Sequence, residues 1–480
     1  MDWKEYRIHI MGIGGAGMSA IARLLHARGV RVSGDDWADS SVMQSLRDEG
    51  IAAMTGHDPV YLDGVDVLAP SSAVAPDSPE LVEAKRRGLK VWHRGDLLSL
   101  LIQDKTCVAV AGTHGKSTTT GMIATVLMDA GLDPSFIIGA TPQGLGTNAH
   151  AGSGEIFVLE ADEYDRTFLH YQPKIAVVTN VEFDHPDTFS DLDETQDAFA
   201  AFVRSVPPDG AVIVCADDPG CDQVLKRAGL MASVPSSTSS SSSSSSSTTV
   251  IDYGLEGGLW RASNMRANTL GGMDFSFTGA GPTGGVGGSC SLRVPGEHNV
   301  ANALAALAAS SVCGVPLAHA TESLGGYRGA GRRFELKGEA RGIRIFDDYA
   351  HHPTEIKATL RGARLRYPVG NIWAIWQPHT FSRTVALLDD FAQAFKDADH
   401  VIVLPIYAAR ENKEDFSFAA SALNPIEIAR KIKHRDARNA ASFGDALGVL
   451  MSQVRGGDVI ITLSAGDGNQ VGERLLQMLR

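Results

Sequence analysis

The chain has 480 residues, 44% of them hydrophobic and 21% charged, with a formal net charge of −13. That length gives a prior of about three domains, each able to bury its own core, and an acidic balance argues against a nucleic-acid partner, which calls for a basic face. No run approaches the ~20 apolar residues of a membrane span. The five cysteines (Cys107, Cys215, Cys221, Cys290, Cys313) are scattered without a C-x-x-C pair and read as reduced thiols. "MDWKEYRIHI" lacks the basic start and long apolar run of a leader, so a cytoplasmic location is expected.

In chain order, the apolar "RIHIM" reads as a buried strand that runs into "GIGGAGMS". Gly12, Gly14 and Gly17 fill G-x-G-x-x-G, and Gly15 and Met18 lie in the same turn. "MSAIARLLHARG" then sets Met18, Ile21 and Leu25 on one helical face, with Gly29 as a C-cap. "VRVSGDD" reads as a second strand ending on Asp35 and Asp36. Strand, glycine turn, helix and acid-ended strand form the context of a dinucleotide fingerprint. Physically, the glycines only let backbone N–H groups and a helix N-terminus approach a diphosphate. NAD carries a diphosphate, and so does a UDP-sugar. Alone, the loop favours NAD or FAD, which suggests an NAD(P)-dependent oxidoreductase, and leaves a UDP-sugar or a plain packing turn open.

The pattern breaks near residues 101–105, and "TCVAVAGTHGKSTTTGMIATVL" carries the stronger signal. A strand ends at Ala111, Gly112, Thr113, His114 and Gly115 form a tight turn, and a helix follows from Lys116, Ser117 and Thr118. Such a turn wraps phosphate oxygens, Lys116 can reach the β- and γ-phosphates of ATP, and the Ser117 hydroxyl can bind Mg²⁺. Val110 stands where G-x-x-x-x-G-K-[ST] has its first glycine, so the loop is a compact variant. A simple dehydrogenase has no use for this loop. Beyond it, "VLEADEYD" ends a strand on Glu160, Asp162, Glu163 and Asp165, and "VVTNVEFDHPD" ends another on Asn180, Glu182, Asp184, His185 and Asp187. Carboxylate oxygens suit Mg²⁺, and strand C-termini are where open α/β sheets hold ligands.

Further along, "GAVIVCA" is a strand, and the serine run from Ser236 to Thr249 has almost nothing to bury and is expected to be a disordered surface loop. The glycine-rich segment from Leu270 to Ser289 is expected to span strand ends and flexible hairpin loops. A second break falls in "GGYRGAGRRFE", near residues 325–333, after which "IRIFDDY", "NIWAIWQP", "HVIVLPI" and "DVIITLS" alternate with helical segments. The fold class is therefore α/β, built from doubly wound, mostly parallel sheets.

At "GIGGAGMS", "AGTHGKSTTT", "EADEYDRTFLHYQP", "TNVEFDHPDTF", "PGEHNVANALAA", "GAGRRFE", "DDYAHHPTEI", "QPHTFSRT" and "SAGDGNQVG" the sequence resembles the bacterial Mur ligases, over nearly its whole length. The resemblance implies three domains: a Rossmann-like UDP-sugar-binding domain (1–104), a central P-loop ATPase-type α/β domain (105–327), and a Rossmann-like α/β C-terminal domain (328–480) that closes over both. It implies ATP and Mg²⁺ as cofactors, UDP-N-acetylmuramate and L-alanine as substrates, no nucleic-acid or membrane partner, and a monomer or weak homodimer. The implied reaction is ATP-dependent amide formation through an acyl phosphate.

Carried over by motif, Gly12, Gly14, Gly15, Gly17 and Met18 cradle the UDP-sugar diphosphate, and Asp35 edges the uridine pocket. Lys116 holds the β- and γ-phosphates and Ser117 the magnesium ion, with Glu160 and His185 at the family's other metal positions. Asn299 and Asn302 match its nucleotide-contacting asparagines, and Arg333 and Asp348 match positions near ATP and the reaction centre. His352 is either a nucleotide contact or a helix cap. Tyr349, His379 and Arg383 match the amino-acid region, with Arg383 on the alanine carboxylate and a neutral His379 assisting deprotonation of the ammonium. Three departures stand out. Thr380 follows the "QPH" histidine where some relatives have arginine. Tyr164 replaces the serine of many alanine ligases and is shared with the tripeptide-adding recycling branch. No lysine lies between Lys174 and Lys226, which excludes the carbamylated lysine of other branches.

Overall fold

The β-branched runs of the sequence form strands that fall into three sheets. The computed structural model describes residues 3–231, 248–281, 284–419 and 423–480. The first sheet contains β1 (Arg7–Met11), β2 (Arg31–Asp36), β3 (Ala52–Thr55), β4 (Val67–Pro70) and β5 (Lys90–Val91). All pairs are parallel in the order β3-β2-β1-β4-β5. The strand order reverses beside β1, so the turn that leaves β1 opens at the switch point where such sheets bind ligands.

The second sheet runs through β6 (Thr106–Ala111), β7 (Ser135–Ile137), β8 (Ala149–His150), β9 (Ile156–Glu160), β10 (Ile175–Val178), β11 (Ala211–Cys215), β12 (Thr249–Gly254), β13 (Trp260–Ala267), β14 (Met273–Gly281) and β15 (Gly284–Ser291). Its order is β15-β14-β13-β12-β11-β10-β6-β9-β7-β8, which puts β6 between β10 and β9 at a second switch point. The third sheet has β16 (Glu335–Ala340), β17 (Ile343–Asp348), β18 (Ile372–Trp376), β19 (His400–Val403), β20 (Ala437–Asn439) and β21 (Val459–Leu463), ordered β16-β17-β21-β18-β19-β20. It is parallel except at β16.

Two expectations change. The glycine-rich segment forms strands rather than loose hairpin loops, because β14 and β15 pair antiparallel from Asp274↔Ser291 to Gly281↔Gly284. Met273, Phe275 and Phe277 alternate into the core there, and Gly279 lets Trp260 pack flat, since a Cβ would lie 2.6 Å from its ring. Of the serine run, residues 236–247 lie outside the described residues. Thr249 is not loop but opens β12, its N–H bonded to the Gly210 carbonyl at 3.1 Å.

One apolar cluster runs from the first sheet and the helix beside it (Ile8, Ile10, Leu97) to one face of the second sheet and the helices that cover it (Phe157, Phe168, Phe199). Helix Glu297–Val312 covers the other face. The third sheet has separate clusters on its two faces, and the contacts that join it to the second sheet at the site are polar. Among the described residues no helix is long and apolar enough to cross a membrane.

Candidate active site

Strand β6 ends in Gly112–Gly115, and helix Lys116–Asp129 starts at Gly115, which has φ 80° and leaves the helix N-terminus without a side-chain cap. Those free amides face outward as an anion cradle. Asn302 explains why residue 115 is glycine, for a Cβ there would lie 2.7 Å from its Oδ1. Asn302 also accepts from Thr119 (3.2 Å) and donates to Asn299 (3.2 Å), tying helix Glu297–Val312 to the loop. His114, Gly115, Ser117, Thr118, Asn299, Asn302, Arg333 and Asp348 all line one cleft of about 350 Å³. Gly112, Thr113 and Lys116 do not line it: Lys116 Nζ turns back to donate to the Gly112 and Thr113 carbonyls at 2.5 and 3.1 Å and to Glu163 at 2.8 Å. Burial opposes the Lys116 charge, but Glu163 and Asp162 outweigh it and raise its pKa.

The donor set for a hard cation can be tested here. Ser117 Oγ donates to Glu160 Oε1 at 2.9 Å, and Glu163, 2% exposed, keeps Oε2 buried without a hydrogen-bond partner. A hydroxyl, the half-buried Glu160 carboxylate and an unsatisfied Glu163 oxygen are donor types that suit Mg²⁺. Among the described residues, however, Glu160, Glu163 and His185 do not form a group of three ligands within 4.8 Å, as His114, Glu182 and His352 do. His185 stands apart from Glu160, with Nε2 3.9 Å from Glu163 and 3.7 Å from Asp184. The structure therefore brings Ser117 and Glu160 together and sets His185 against Glu163.

The third sheet closes the cleft. His352 caps helix Pro353–Arg366, accepting from Thr354 N at 3.3 Å while Glu355 reaches back to the cap. Its ring also lies 4.5 Å from that of His114, so the cap and the site share one residue. His114 spans two sheets, with Nε2 3.3 Å from Glu182 and Nδ1 3.4 Å from Glu355. Burial works against its charge, yet hydrogen bonds to those carboxylates raise its pKa from 6.5 to about 9. This raised folded value contributes stability in full below the ordinary value and loses it as pH rises through about 9. The melting temperature should therefore fall between neutral pH and pH ~10 by an amount that disappears in His114→Asn; equal slopes in both proteins would exclude the bridge.

Asp348 ends β17 and accepts from Phe334 N (2.8 Å) and Ala350 N (2.7 Å), bracketing Arg333 and Tyr349. Burial lifts its pKa to about 6, against the pull of Arg333. The Arg333 guanidinium lies over the Tyr349 ring at 5.1 Å, with Nη1 3.6 Å from Glu355. Beyond Tyr349, the His351 and His379 rings are 5.8 Å apart. Burial, then the Arg383 charge, push His379 down to about 4, leaving it neutral at pH 7. Arg383 donates from Nε to Asp184 at 2.7 Å, and its Nη1 lies 3.0 Å from His379 Nδ1. Arg383, expected to meet a substrate carboxylate, holds a buried carboxylate of its own chain through Nε.

At the first switch point Gly12 N and Ile13 N both bond the Asp35 carbonyl, at 2.8 and 3.0 Å. Helix Ala16–Ala27 begins at Gly15 with no side-chain cap. Met18 is 3% exposed, so its side chain serves the core and only its backbone can face a diphosphate. Asp35 is fully buried between His9 (3.0 Å) and His57 (2.6 Å). Neighbouring strand residues point to opposite faces, so it is Asp36 that turns to the loop, accepting from Gly14 N at 3.1 Å.

Family models agree with this layout: "Mur ligase family, catalytic domain" matches residues 7–106, "Mur ligase middle domain" 110–310, and "Mur ligase, glutamate ligase domain" 332–466. The UDP-N-acetylmuramate–L-alanine ligase of Roseiflexus sp. (strain RS-1) is 42% identical over 479 residues, 98% of this chain and 99% of the relative. The chain belongs to the Mur ligase family. A second relative of the same name, from Renibacterium salmoninarum, is 40% identical over 98% of this chain and 96% of its own. Among solved structures, a UDP-N-acetylmuramate-alanine ligase from Thermotoga maritima superposes with a TM-score of 0.76 at 26% identity, covering 99% of each chain. A murein peptide ligase from Psychrobacter arcticus follows with 0.73 at 28%, covering 99% of this chain and 98% of its own. The oxidoreductase reading of the first glycine loop falls with this membership.

Sequence reasoning missed three residues of this Mur ligase. Arg94 sits beside the first glycine turn, where a Cβ on Gly17 would be 3.6 Å from its Nη1, and pairs with Asp162 of the second sheet at 2.7 Å. A lone arginine at a helix start carries no sequence signal. Glu355 reads only as the third residue of a capping box. Trp37, 76% exposed, stands edge-on to His57 at 4.5 Å beside the same turn; an aromatic after a strand is the one hint available.

Proposed function

We propose that this Mur ligase joins L-alanine to the lactyl carboxylate of UDP-N-acetylmuramate at the expense of ATP, with domains divided as residues 1–104, 105–327 and 328–480. It works in the cytoplasm as a monomer or weak homodimer. A carboxylate repels an attacking amine, so the γ-phosphoryl group of ATP is first transferred to it, giving ADP and an acyl phosphate. The amine then attacks, a tetrahedral oxyanion forms, and phosphate leaves with the electrons of the cleaved C–O bond. Positioning and positive charge supply most of the acceleration in such a reaction.

The first glycine turn, its helix N-terminus and Arg94 hold the UDP-sugar diphosphate. Lys116 and the amides of helix Lys116–Asp129 bind the ATP phosphates, and Asn299 and Asn302 frame the nucleotide. Ser117, Glu160, His185 and the free Glu163 oxygen would hold Mg²⁺, which when bound neutralises phosphate charge. Asp348 fixes the backbone around Arg333, which meets the charge developing on the transferred group. His379, neutral at pH 7, takes the proton that the alanine ammonium must lose, and Arg383 keeps its ring in place.

The observation that supports this most is the meeting of the acidic loop after β10 with the His379–Arg383 pair, through Asp184, in a chain about two-fifths identical to alanine ligases end to end. The test is phosphate release from Mg-ATP by the purified chain with UDP-N-acetylmuramate and either L-alanine or the L-alanyl tripeptide. Alanine-dependent release is expected. Its absence would overturn the proposal, and tripeptide-dependent release would move the chain to the recycling branch.

A further inference from the structure

The acceptor's carboxylate needs a cation, and two nitrogens of the buried Arg383 are already engaged. Its side chain is 5% exposed, and Asp184 and His379 take its Nε and Nη1. Thr380, next to His379, carries no charge. The loop that follows β19 brings another arginine to the same place. Tyr407 N donates to Pro378 O, and Thr380 N to Tyr407 O, both at 2.9 Å, while the Tyr407 ring stacks on His379 at 5.7 Å. Glu411 accepts from Phe381 N at 2.5 Å and Ser382 N at 3.0 Å. Arg410 is held between these two anchors. Ala409 before it has φ 51°, a left-handed conformation that a non-glycine residue keeps only where its surroundings impose it.

Arg410 is exposed, and among the described residues no carboxylate lies within 4.0 Å of its nitrogens. Its Nη1 donates to the Ser72 carbonyl of the first unit at 3.2 Å, and its guanidinium lies over the Tyr164 ring of the second at 5.2 Å. The Tyr164 ring lies in turn beside that of His185, tilted, at 5.2 Å. All three units thus meet at Arg410, whose charge is close enough to His379 to depress its protonation. One N–H goes to Ser72, and the ring and hydroxyl of Tyr164 take a face and a further N–H, which leaves donors of the planar fork for a bidentate carboxylate.

We infer that Arg410 receives the α-carboxylate of the acceptor amino acid and so orients its amine towards His379. This rests on the ligase reading above. The test compares L-alanine with L-alaninamide, which keeps the amine and loses the carboxylate, in the full-length wild type, Arg410→Met and Arg410→Lys. Arg410→Met should raise KM for L-alanine roughly ten- to a hundredfold, as loss of a charge-assisted hydrogen bond does. KM for ATP and UDP-N-acetylmuramate should stay within about twofold, and the preference for L-alanine over L-alaninamide should collapse. Arg410→Lys should recover part of that preference. If Arg410→Met keeps the wild-type preference, or shifts all three KM values together, Arg410 is only a contact between units and the inference is overturned. A wild type without alanine-dependent phosphate release would instead fail the ligase reading, and this inference with it.

Discussion

Replacing Lys116 by alanine lowers turnover by about two to four orders of magnitude while leaving the protein folded. The ammonium group is held by two carbonyls of the phosphate loop and by Glu163. Its loss removes the charge that meets the β- and γ-phosphates, an interaction strengthened as charge shifts during transfer. The fold survives for a separate reason. Burial already raises the Glu163 pKa against the pull of Lys116, so without its partner the carboxyl takes up a proton rather than remaining a bare buried charge. Phosphate release and a melting curve on the same preparation test both halves. Near-normal turnover would mean that the loop does not bind ATP, and a collapse in melting temperature would mean that Glu163 stays ionised.

Arg383→Met has the opposite balance. Burial raises the Asp184 pKa, but Arg383, then His185, overcome it and hold the carboxyl well below its ordinary range. Both side chains are about 5–6% exposed, and the pair spans two sheets. Removing the guanidinium leaves the buried Asp184 carboxyl without the charge that chiefly opposes its burial, a change that costs about 3–5 kcal/mol in comparable buried pairs. His379 also loses the neighbour that fixes its ring. The variant should melt several degrees lower and lose most of its turnover. Because the folded-state pKa of Asp184 is depressed, the stabilisation is present above the ordinary carboxylate range and is lost only as pH falls through the depressed value. The deficit should therefore be constant across neutral pH. Adding Asp184→Leu should restore much of the stability and none of the activity, as removing both members of a buried pair does. A single variant that melts like the wild type would show that the pair contributes nothing to docking of the third sheet.

Most of the strand and helix framework is legible in sequence, because its signals are local. "TCVAVAGTHGKSTTT" combines an apolar run, a glycine turn and a helix start within 15 consecutive residues, and each is set by neighbours a few positions away. The exceptions are local too. Glycines between Leu270 and Ser289 mask the inward alternation of Met273, Phe275 and Phe277, which only pairing with β15 turns into strand. Asp35 and Asp36 are equally acidic on paper, yet β2 buries one between two histidines and turns the other to the glycine loop.

By itself the sequence determined the two glycine cradles, the strands that carry them, and the residue types able to hold phosphate and magnesium. Chain order alone places each of these, since a turn between a strand and a helix leaves its amides free wherever it occurs. Tertiary structure decided which charges remain available. Arg383 meets Asp184 across 199 residues, Thr354 meets Glu182 across 172, and Arg410 meets Ser72 across 338. No periodicity or spacing reports such pairs, because they exist only once three separately folded sheets have been brought to one point. Whether an arginine serves the protein or its substrate depends on what burial and a partner have already taken from it.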